Sequence, residues 1–330
     1  MKEVIEKIKK SGLKGRSGSG FLTGAKWEIV KKATGRKKYV ICNAAEGEPG
    51  VFKDGFILRH YPQEVVNGIK IALNAVKSDQ AYIYLRKDYY QKYGFLLRKI
   101  IKDRKLPIAL FKKPDGYING EETVLIRAIE GKKLEPQKKP PYPVTVGLFG
   151  LPTLINNTET FYFVSRIIKG EYKKTRFYSL SGDIKHPDTY ELPENLTIKE
   201  ILEKTGNWPD FKFFIQAGGG ATGEILLMDE LERKIQGLGG IIVYHFEKTD
   251  YFALMNKWAD FFYRGNCDKC TPCREGMYRL KEILSQKKTD KDVLKDLFFV
   301  LEKTSFCSLG RNISLPFKSL FEKIIYEQEI

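Results

Sequence analysis

Long apolar runs are missing from this chain. No segment of its 330 residues approaches the roughly 18 consecutive apolar residues that a spanning helix needs. The opening MKEVIEKIKKSG is an amphipathic helix with charges of both signs, and it lacks the apolar core of an export signal. Both absences predict a soluble, non-exported protein that does not span a membrane. Cysteine is scarce: there are five, an odd number, and four lie in the last 64 positions, which is a poor disulfide framework. Internal repeats and low-complexity tracts are absent, so a solenoid or a disordered tail is not expected. Acidic residues are outnumbered 41 to 57 by lysine and arginine, giving +16. That field favours an acidic partner, whether nucleic acid, an anionic cofactor or an acidic protein. No groove-reading motif accompanies the basic surplus, so nucleic acid is not expected as the partner. What is present is an ordinary globular balance, 42% hydrophobic and 30% charged, at a length that suits two or three domains.

The first half reads as alternating helix and strand. Val4, Ile5 and Ile8 have helical spacing, and Gly12 is placed to end that helix. KGRSGSGFLTGAKW packs four glycines and three small hydroxyl residues into fourteen positions and reads as a loop. KYVIC, AYIYLR and LPIALFKK are strand candidates, separated by the helices GIKIALNAVKS and YYQKYGFLLRKIIKDRK. Strands alternating with helices predict an α/β domain with a parallel sheet. EETVLIRAIEGK is a further helix, and Gly131 suits its end. The segment 132–152 has five prolines and reads as extended, with a helix from about Asn156 to Lys169. From Lys173 to about 246 the pattern is strand, turn, strand, short helix and further strands, a compact α+β unit. From about Asp250 the text is helical, with candidates at 251–263, 275–285, 290–303 and 315–325. The expected domains are 1–170, 171–249 and 250–330.

CDKCTPCREG spaces Cys267, Cys270 and Cys273 as C-x2-C-x2-C, and Cys307 follows after 33 intervening residues. Three thiolates at i, i+3 and i+6 can serve three corners of a cube, and a remote fourth closes the set, which is [4Fe–4S] ligation. The rival is structural zinc, which usually draws on two separated C-x2-C pairs. Lys269, Arg274 and Arg311 are candidate charge compensators for an anionic cluster. Cys42 continues a strand-like apolar run and reads as a small core residue.

Two loops carry the remaining chemistry. In Gly15-Arg16-Ser17-Gly18-Ser19-Gly20-Phe21 the glycines let backbone N–H groups approach a phosphate, and Arg16 adds a positive charge. This is not G-x-G-x-x-G after a strand, and a plain surface loop reads equally well. Asn43-Ala44-Ala45-Glu46-Gly47-Glu48-Pro49-Gly50 follows KYVIC at the carboxyl end of a strand, where open α/β sheets bind ligands. Two glutamates on a rigid turn are costly to hold together unless ribose hydroxyls or an amide hydrogen-bond them, and a solvated acidic turn reads equally well. Glu121-Glu122 open a helix, where compensation of the helix dipole is the plain role, and capping is the plain role of Asn156-Asn157.

Taken in order, GRSGSGFLTGAKW, NAAEGEPGVFKDG, YINGEETVLIRAIEG, KPPYP, GLFGLPTLINNTET, CDKCTPCREG and FCSLG resemble the motifs of one family. It is the flavin-binding, NADH-oxidising 51 kDa subunit of respiratory complex I, also found in NAD-linked hydrogenases and formate dehydrogenases. The resemblance spans nearly the whole sequence. It implies an α/β domain for FMN and NADH, then a ubiquitin-like β-grasp domain of the soluble-ligand-binding type, then a four-helix domain holding a [4Fe–4S] cluster. By motif, the residues implied at FMN are Gly15, Arg16, Ser17, Gly18 and Lys26 from the first loop, and Asn43, Ala45 and Glu46 from the second. Tyr117, Gly120, Glu121, Glu122, Asn156, Asn157 and Thr160 complete that set. Phe21, Glu48, Glu122, Lys139 and Tyr142 are implied at the nicotinamide nucleotide, with Phe21 and Tyr142 stacking on adenine and Glu48 accepting from ribose. The implied activity is electron input: hydride from NADH to FMN, then single electrons to the cluster. The implied partners are a thioredoxin-like [2Fe–2S] subunit and a large iron–sulfur subunit, on the cytoplasmic side of the inner membrane.

The sequence departs from the family pattern in places. Ser17, Ser19 and Leu22 stand where the family loop has glycine, alanine and proline, and Ala45 stands where it has aspartate. The missing carboxylate predicts weaker FMN or NADH binding. It also leaves an alternative, in which the protein keeps the cluster and takes electrons from an acidic carrier protein, flavodoxin or ferredoxin.

Overall fold

The computed structural model describes residues 2–18, 20–235, 237–286 and 290–326. Ser19 of the glycine loop lies outside them. Two compact units make up the protein, one of residues 1–47, 52–115 and 119–177, the other of 48–51, 116–118 and 178–330.

In the first unit, α1 (Lys2–Ser11) and α2 (Thr23–Lys32) precede β1 (Tyr39–Ala44). Then come α3 (Lys53–His60), α4 (Pro62–Val76), β2 (Gln80–Leu85), α5 (Lys87–Asp103), β3 (Ile108–Lys112) and α6 (Glu122–Ile129). β4 (Thr153–Asn157) and α7 (Thr158–Lys169) follow, and β5 (Thr175–Gly182) begins here. The sheet order is β3-β2-β1-β4, and all three strand pairs are parallel. The expected parallel α/β architecture is therefore present. Apolar residues alternate between its two covered faces: Val40, Cys42 and Ala44 join one cluster with α4 and α7, while Tyr39 and Ile41 join another with Leu125, Ile126 and Leu148. Burial on both sides explains why KYVIC reads as a continuous apolar run. Cys42 is fully buried in the first cluster, as a core residue, and burial pushes its thiol well above the ordinary range. α4 and α7 cross so closely at Gly68 that a Cβ there would stand 2.0 Å from the Phe161 carbonyl oxygen.

Three elements escape the sequence pattern. α2 starts inside the segment read as loop, because Trp27 and Val30 are fully buried while Phe21 and Leu22 stay outside. α3 follows the acidic loop directly. β4 occupies 153–157, read as an extended stretch and the start of a helix; its Asn156 and Asn157 hide a strand buried at every position.

In the second unit, β5 continues, then β6 (Asp188–Pro193), α8 (Ile198–Lys204), β7 (Phe213–Ala217), β8 (Glu224–Leu226) and β9 (Gly240–His245). The order is β6-β5-β9-β7-β8, with β5 and β9 parallel and β7 antiparallel to both β9 and β8. α8, opened by a Thr197–Glu200 capping box, buries Ile198, Ile201 and Leu202 against this sheet. One helix on a mixed sheet with a parallel central pair is the β-grasp arrangement. α9 (Tyr251–Gly265), α10 (Thr271–Ser285), α11 (Lys291–Thr304), α12 (Ser308–Asn312) and α13 (Ser314–Leu320) complete the unit. Trp258, Phe262, Met277, Leu280, Phe298, Leu301 and Phe317 are buried among them, with Trp258 edge-on to Phe317 at 5.5 Å. Among the described residues no helix is long and apolar enough to cross a membrane.

Candidate functional site

Strand order reverses between β1 and β4, so the backbone leaves these neighbours in opposite directions, and it is at the carboxyl ends of such a pair that open parallel sheets place their ligand crevice. Asn43 pairs in register with Asn157 there. Asn43 turns its side chain back on the loop: Nδ2 donates to the Gly120 carbonyl at 2.9 Å, and Oδ1 accepts from the Ala45 N–H at 3.1 Å. Asn157 caps α7 by accepting from the Glu159 N–H at 2.9 Å. Its Nδ2 donates to Asp54 Oδ2 at 2.7 Å, and Lys53 Nζ lies 3.2 Å from its Oδ1. Asn156 accepts from the buried Trp27 indole N–H at 2.9 Å. Capping is thus one real role of Asn157, combined with a place in a side-chain network. Trp27, Lys53, Asp54 and Glu159 escape the sequence reading; a lysine–aspartate pair directly after the acidic loop is the available signal for two of them.

Glu46 points its carboxylate at the start of α3. It accepts from the Asp54 N–H at 3.0 Å, the Gly55 N–H at 3.4 Å and the Tyr89 hydroxyl at 2.6 Å. Its backbone carbonyl accepts from Arg86 at 2.8 Å. Ala45 is buried within an apolar cluster, and a Cβ on Gly120 would meet the Ala45 Cβ at 3.4 Å.

The glycine loop is closed by the Gly15 N–H donating to Phe21 O at 2.8 Å. Gly18 and Gly20 have φ of +103° and +61°, and a Cβ at either would find nothing within 4 Å. Open backbone here suits an approaching anion. Ser17 is exposed. The Arg16 N–H donates to the Thr160 hydroxyl at 3.3 Å. The Arg16 guanidinium differs from expectation: it is buried against Tyr172, the Thr175 carbonyl, Glu159 and the Phe163 ring. A charge so desolvated is matched to carboxylate and aromatic neighbours rather than offered to solvent.

A second charged group lies at the start of α6. Glu121 is its N-cap, accepting from the Thr123 and Val124 N–H groups. Lys139 Nζ reaches Glu121 at 2.9 Å and Glu122 at 2.6 Å, while Lys26 Nζ donates to Ile155 O at 2.8 Å and lies 3.8 Å from Glu122. Burial, helped by Lys139, pulls the Lys26 pKa down against the pull of Glu122. Burial pushes the Glu122 carboxyl up, but Lys26 and Lys139 outweigh it and hold it below the usual range. Phe21 and Tyr142 are half-exposed, with ring surface open to stacking.

Glu48 and Tyr117 belong to the second unit. Glu48, expected to accept from a ribose, is 4% exposed and saturated with donors. Oε1 accepts from the Ala221 and Thr222 N–H groups at 2.9 and 2.7 Å and from the Thr222 hydroxyl at 3.0 Å; Oε2 accepts from the Tyr117 hydroxyl at 2.6 Å. The loop can wrap it because Gly219 lacks a side chain: a Cβ there would meet Glu48 Cγ at 2.2 Å. Tyr117 packs on Phe261 at 4.7 Å, and burial together with Glu48 raises its pKa.

The four cysteines gather at two helix starts in the same unit. Cys270 is the N-cap of α10 and Cys307 the N-cap of α12, each carbonyl accepting its helix's first N–H bond. Pro272 sits in the first turn of α10, so that helix begins before the expected residue 275 and carries Cys273 inside it. Burial, reinforced by the three other thiols, pushes Cys273 up to about 12. Burial likewise raises Cys307, opposed by the Gly310 and Leu309 N–H groups. Like-charge repulsion, through which the other three thiols raise Cys273, is what bound iron relieves. Among the described residues no three Cys, His, Asp or Glu side chains converge closely enough for a single ion. Four thiols near enough to raise one another's pKa are the donor set that a cubane cluster takes. Of the expected compensators, Lys269 lies over the Phe306 ring, Arg274 pairs with Glu275, and Arg311 donates to Ser305 O.

Residues 8–166 match the Nuo51 FMN-binding domain, and residues 253–329 match the NADH-ubiquinone oxidoreductase-F iron–sulfur binding region. With the parallel sheet and the cysteine nest, these matches define an oxidoreductase subunit of the iron–sulfur flavoprotein class, with FMN, a [4Fe–4S] cluster and NAD(H) as its cofactor set. The sequence is 34% identical to the F-type subunit of NADH-quinone oxidoreductase of Aquifex aeolicus over 99% of its own length and 85% of the relative's. It is 30% identical to the F-type subunit numbered 2 of the same enzyme in Rhizobium meliloti, over 96% and 86%. The protein belongs to the family of NADH-quinone oxidoreductase F-type subunits. Its fold also superposes on a chain of an NAD+-reducing [NiFe]-hydrogenase with a TM-score of 0.92 at 27% identity, covering 99% of this chain and 62% of that one.

Proposed function

We propose that this protein is the electron-input subunit of a complex I-like NADH:quinone oxidoreductase, accepting hydride from NADH on FMN and delivering single electrons to a [4Fe–4S] cluster. The observation that carries the reading is the presence in one polypeptide of a switch-point crevice edged by polar side chains and of four cysteines gathered at two helix starts. FMN, when bound, supplies a ring that takes two electrons together and gives them up singly. Asn43, held by Gly120 and Ala45, and Asn157, held on both sides of its amide, form a preset polar edge at the crevice. Asn156 and Thr160 are assigned to that edge as well, and the loop of Gly15, Ser17 and Gly18, with its backbone open at Gly18 and Gly20, is assigned to the phosphate. Lys26 provides a cation there, kept in place by Ile155 O. The Lys139 bridge to Glu121 and Glu122 orients both carboxylates, and Phe21 and Tyr142 offer aromatic faces to the nucleotide. Glu46, Glu48 and Arg16 act by holding their loops. Hydride transfer needs no side-chain acid or base, so the site is one of positioning residues.

Cys267, Cys270, Cys273 and Cys307 are assigned as the cluster ligands. A thioredoxin-like [2Fe–2S] subunit and a large iron–sulfur subunit are assigned as partners, with the complex peripheral on the cytoplasmic side of the inner membrane. The division into residues 1–170, 171–249 and 250–330 assigns one task to each part: nucleotide binding, a β-grasp module and the cluster. Flavodoxin or ferredoxin as donor is favoured by the +16 charge and by Ala45 standing in place of a carboxylate, whereas the relatives' names favour NADH. The test is anaerobic purification, extraction of the flavin and titration with NADH on one sample. FMN, a broad iron–sulfur shoulder and bleaching by NADH are expected. FAD in the extract, or an FMN-loaded protein that NADH does not reduce, overturns the reading.

A further inference from the structure

Lys53 and Asp54 are adjacent in sequence, open α3, and are 1% and 2% exposed. Two neighbouring ionisable side chains buried this completely carry a desolvation cost of several kcal/mol per ion, and an apolar pair of the same volume is often no less stable. Stability therefore does not explain them. Their contacts do. Lys53 Nζ stands 2.8 Å from Asp54 Oδ1, 3.2 Å from Glu159 Oε2 and 3.2 Å from Asn157 Oδ1. Asp54 Oδ2 takes the opposite end of the same amide, accepting from Asn157 Nδ2 at 2.7 Å. An amide bracketed by an ammonium at its oxygen and a carboxylate at its nitrogen has one orientation, because a flip would set donor against donor and acceptor against acceptor. Asn157 also touches the Asn43 carbonyl at 3.4 Å and caps α7, so its orientation is shared by both strands that border the crevice.

The charges matter as well as the geometry. Burial works against the charge on Lys53, but Asp54, Glu159 and Glu46 outweigh it, so the ammonium is retained. Three carboxylates compete for that one cation. Burial, with Glu46 and Glu159, pushes the Asp54 carboxyl up against the pull of Lys53. A permanent cation is thus fixed beneath the carboxyl edge of β1 and β4, in surroundings that screen it poorly.

Resting on the flavin reading of the crevice, we propose that Lys53 and Asp54 are positioning residues that lock Asn157 and set the electrostatic potential of the crevice floor, so that Lys53 favours the reduced, more negative form of bound FMN over the oxidised form. Neither residue is assigned a contact with the flavin. The test uses the full-length protein and the variants Lys53→Met and Asp54→Asn, with thermal midpoint, FMN affinity and the midpoint potential of the bound flavin measured on each. Lys53→Met is expected to weaken binding of reduced FMN about tenfold more than that of oxidised FMN. That ratio lowers the flavin potential by about 30 mV for a two-electron couple. Asp54→Asn leaves one acceptor oxygen for two donors, Lys53 Nζ and Asn157 Nδ2, which loosens the lock on Asn157 while leaving the cation, so oxidised FMN is expected to bind several-fold more weakly with the potential unlowered. Should Lys53→Met fail to fold, Lys53→Gln, which keeps an N–H donor for Asp54 and Asn157 while removing the charge, carries the same expectation. A flavin potential unchanged in the folded lysine variants, with only the thermal midpoint reduced, overturns the proposal and leaves the flavin reading intact. An unmodified protein that binds no FMN overturns both.

Discussion

Glu46 offers a direct measure of what the acidic loop does. Its carboxylate ends the loop by accepting from the Asp54 and Gly55 N–H groups and from the Tyr89 hydroxyl. In Glu46→Ala, α3 loses its anionic cap, worth roughly 0.5–2 kcal/mol. The Tyr89 hydroxyl, on a buried side chain, loses a charged acceptor, worth about 1.5–3 kcal/mol. The sum, about 2–5 kcal/mol, is a large share of the 5–15 kcal/mol that ordinarily holds a domain folded. At about 2–4 °C per kcal/mol for a unit of this size, the thermal midpoint should fall by roughly 4–20 °C. The pair can be isolated by a double-mutant cycle: Tyr89→Phe alone should cost about 1–2 kcal/mol, and almost nothing once Glu46 is gone. Urea denaturation of the flavin-free protein supplies all four corners. If Glu46→Ala costs less than about 1 kcal/mol without flavin, yet abolishes FMN retention, the carboxylate works on the flavin and the capping account is refuted.

Cys273→Ser should remove the iron–sulfur absorbance while the α/β domain stays folded; iron near four per protein in that variant would refute four-cysteine ligation. Ala45→Asp with Ser17→Gly should tighten FMN or NADH binding at least several-fold, because an acceptor returns beside Gly120 and the exposed loop regains its glycine. Stoichiometric FMN, rapidly reduced by micromolar NADH in the unmodified protein, would show that these positions are neutral. Asp54 gives a pH signature. Its folded pKa, pushed up to about 7 by burial, lies above that of the unfolded state, so the folded state binds the extra proton between about pH 4 and 7. Stability from this group is full below about pH 4 and is lost as pH rises through about 7, a slope that Asp54→Asn should remove from the thermal-midpoint profile.

The local patterns carried a great deal. KYVIC and AYIYLR are strands because apolar residues buried on both faces leave a run visible without any partner, and LPIALFKK, at the sheet edge, keeps a shorter run of half-buried ones. The C-x2-C-x2-C segment declares its chemistry because three ligands lie within seven residues, so spacing alone brings the thiols to one place. The order of motifs along nearly the whole sequence indicated the family, since motif order is itself a property of sequence. What each residue faces was decided elsewhere. Glu48 looked like a ribose acceptor, yet four donors from residues 117, 221 and 222 surround it, two of those residues more than 170 positions away. Arg16 looked like a phosphate ligand, yet Glu159 and Phe163 draw its charge inward. β4 was hidden because its carboxyl-terminal asparagines serve the crevice and cap α7, which breaks the apolar run that marks a strand. Lys53 and Asp54 carry no signal in the sequence beyond their place after the acidic loop; their role shows only once the fold buries them beside Asn157. Residue type and spacing report what a segment can do, but burial and hydrogen-bond partners depend on segments far apart in the sequence, and those are set only when the sheet assembles.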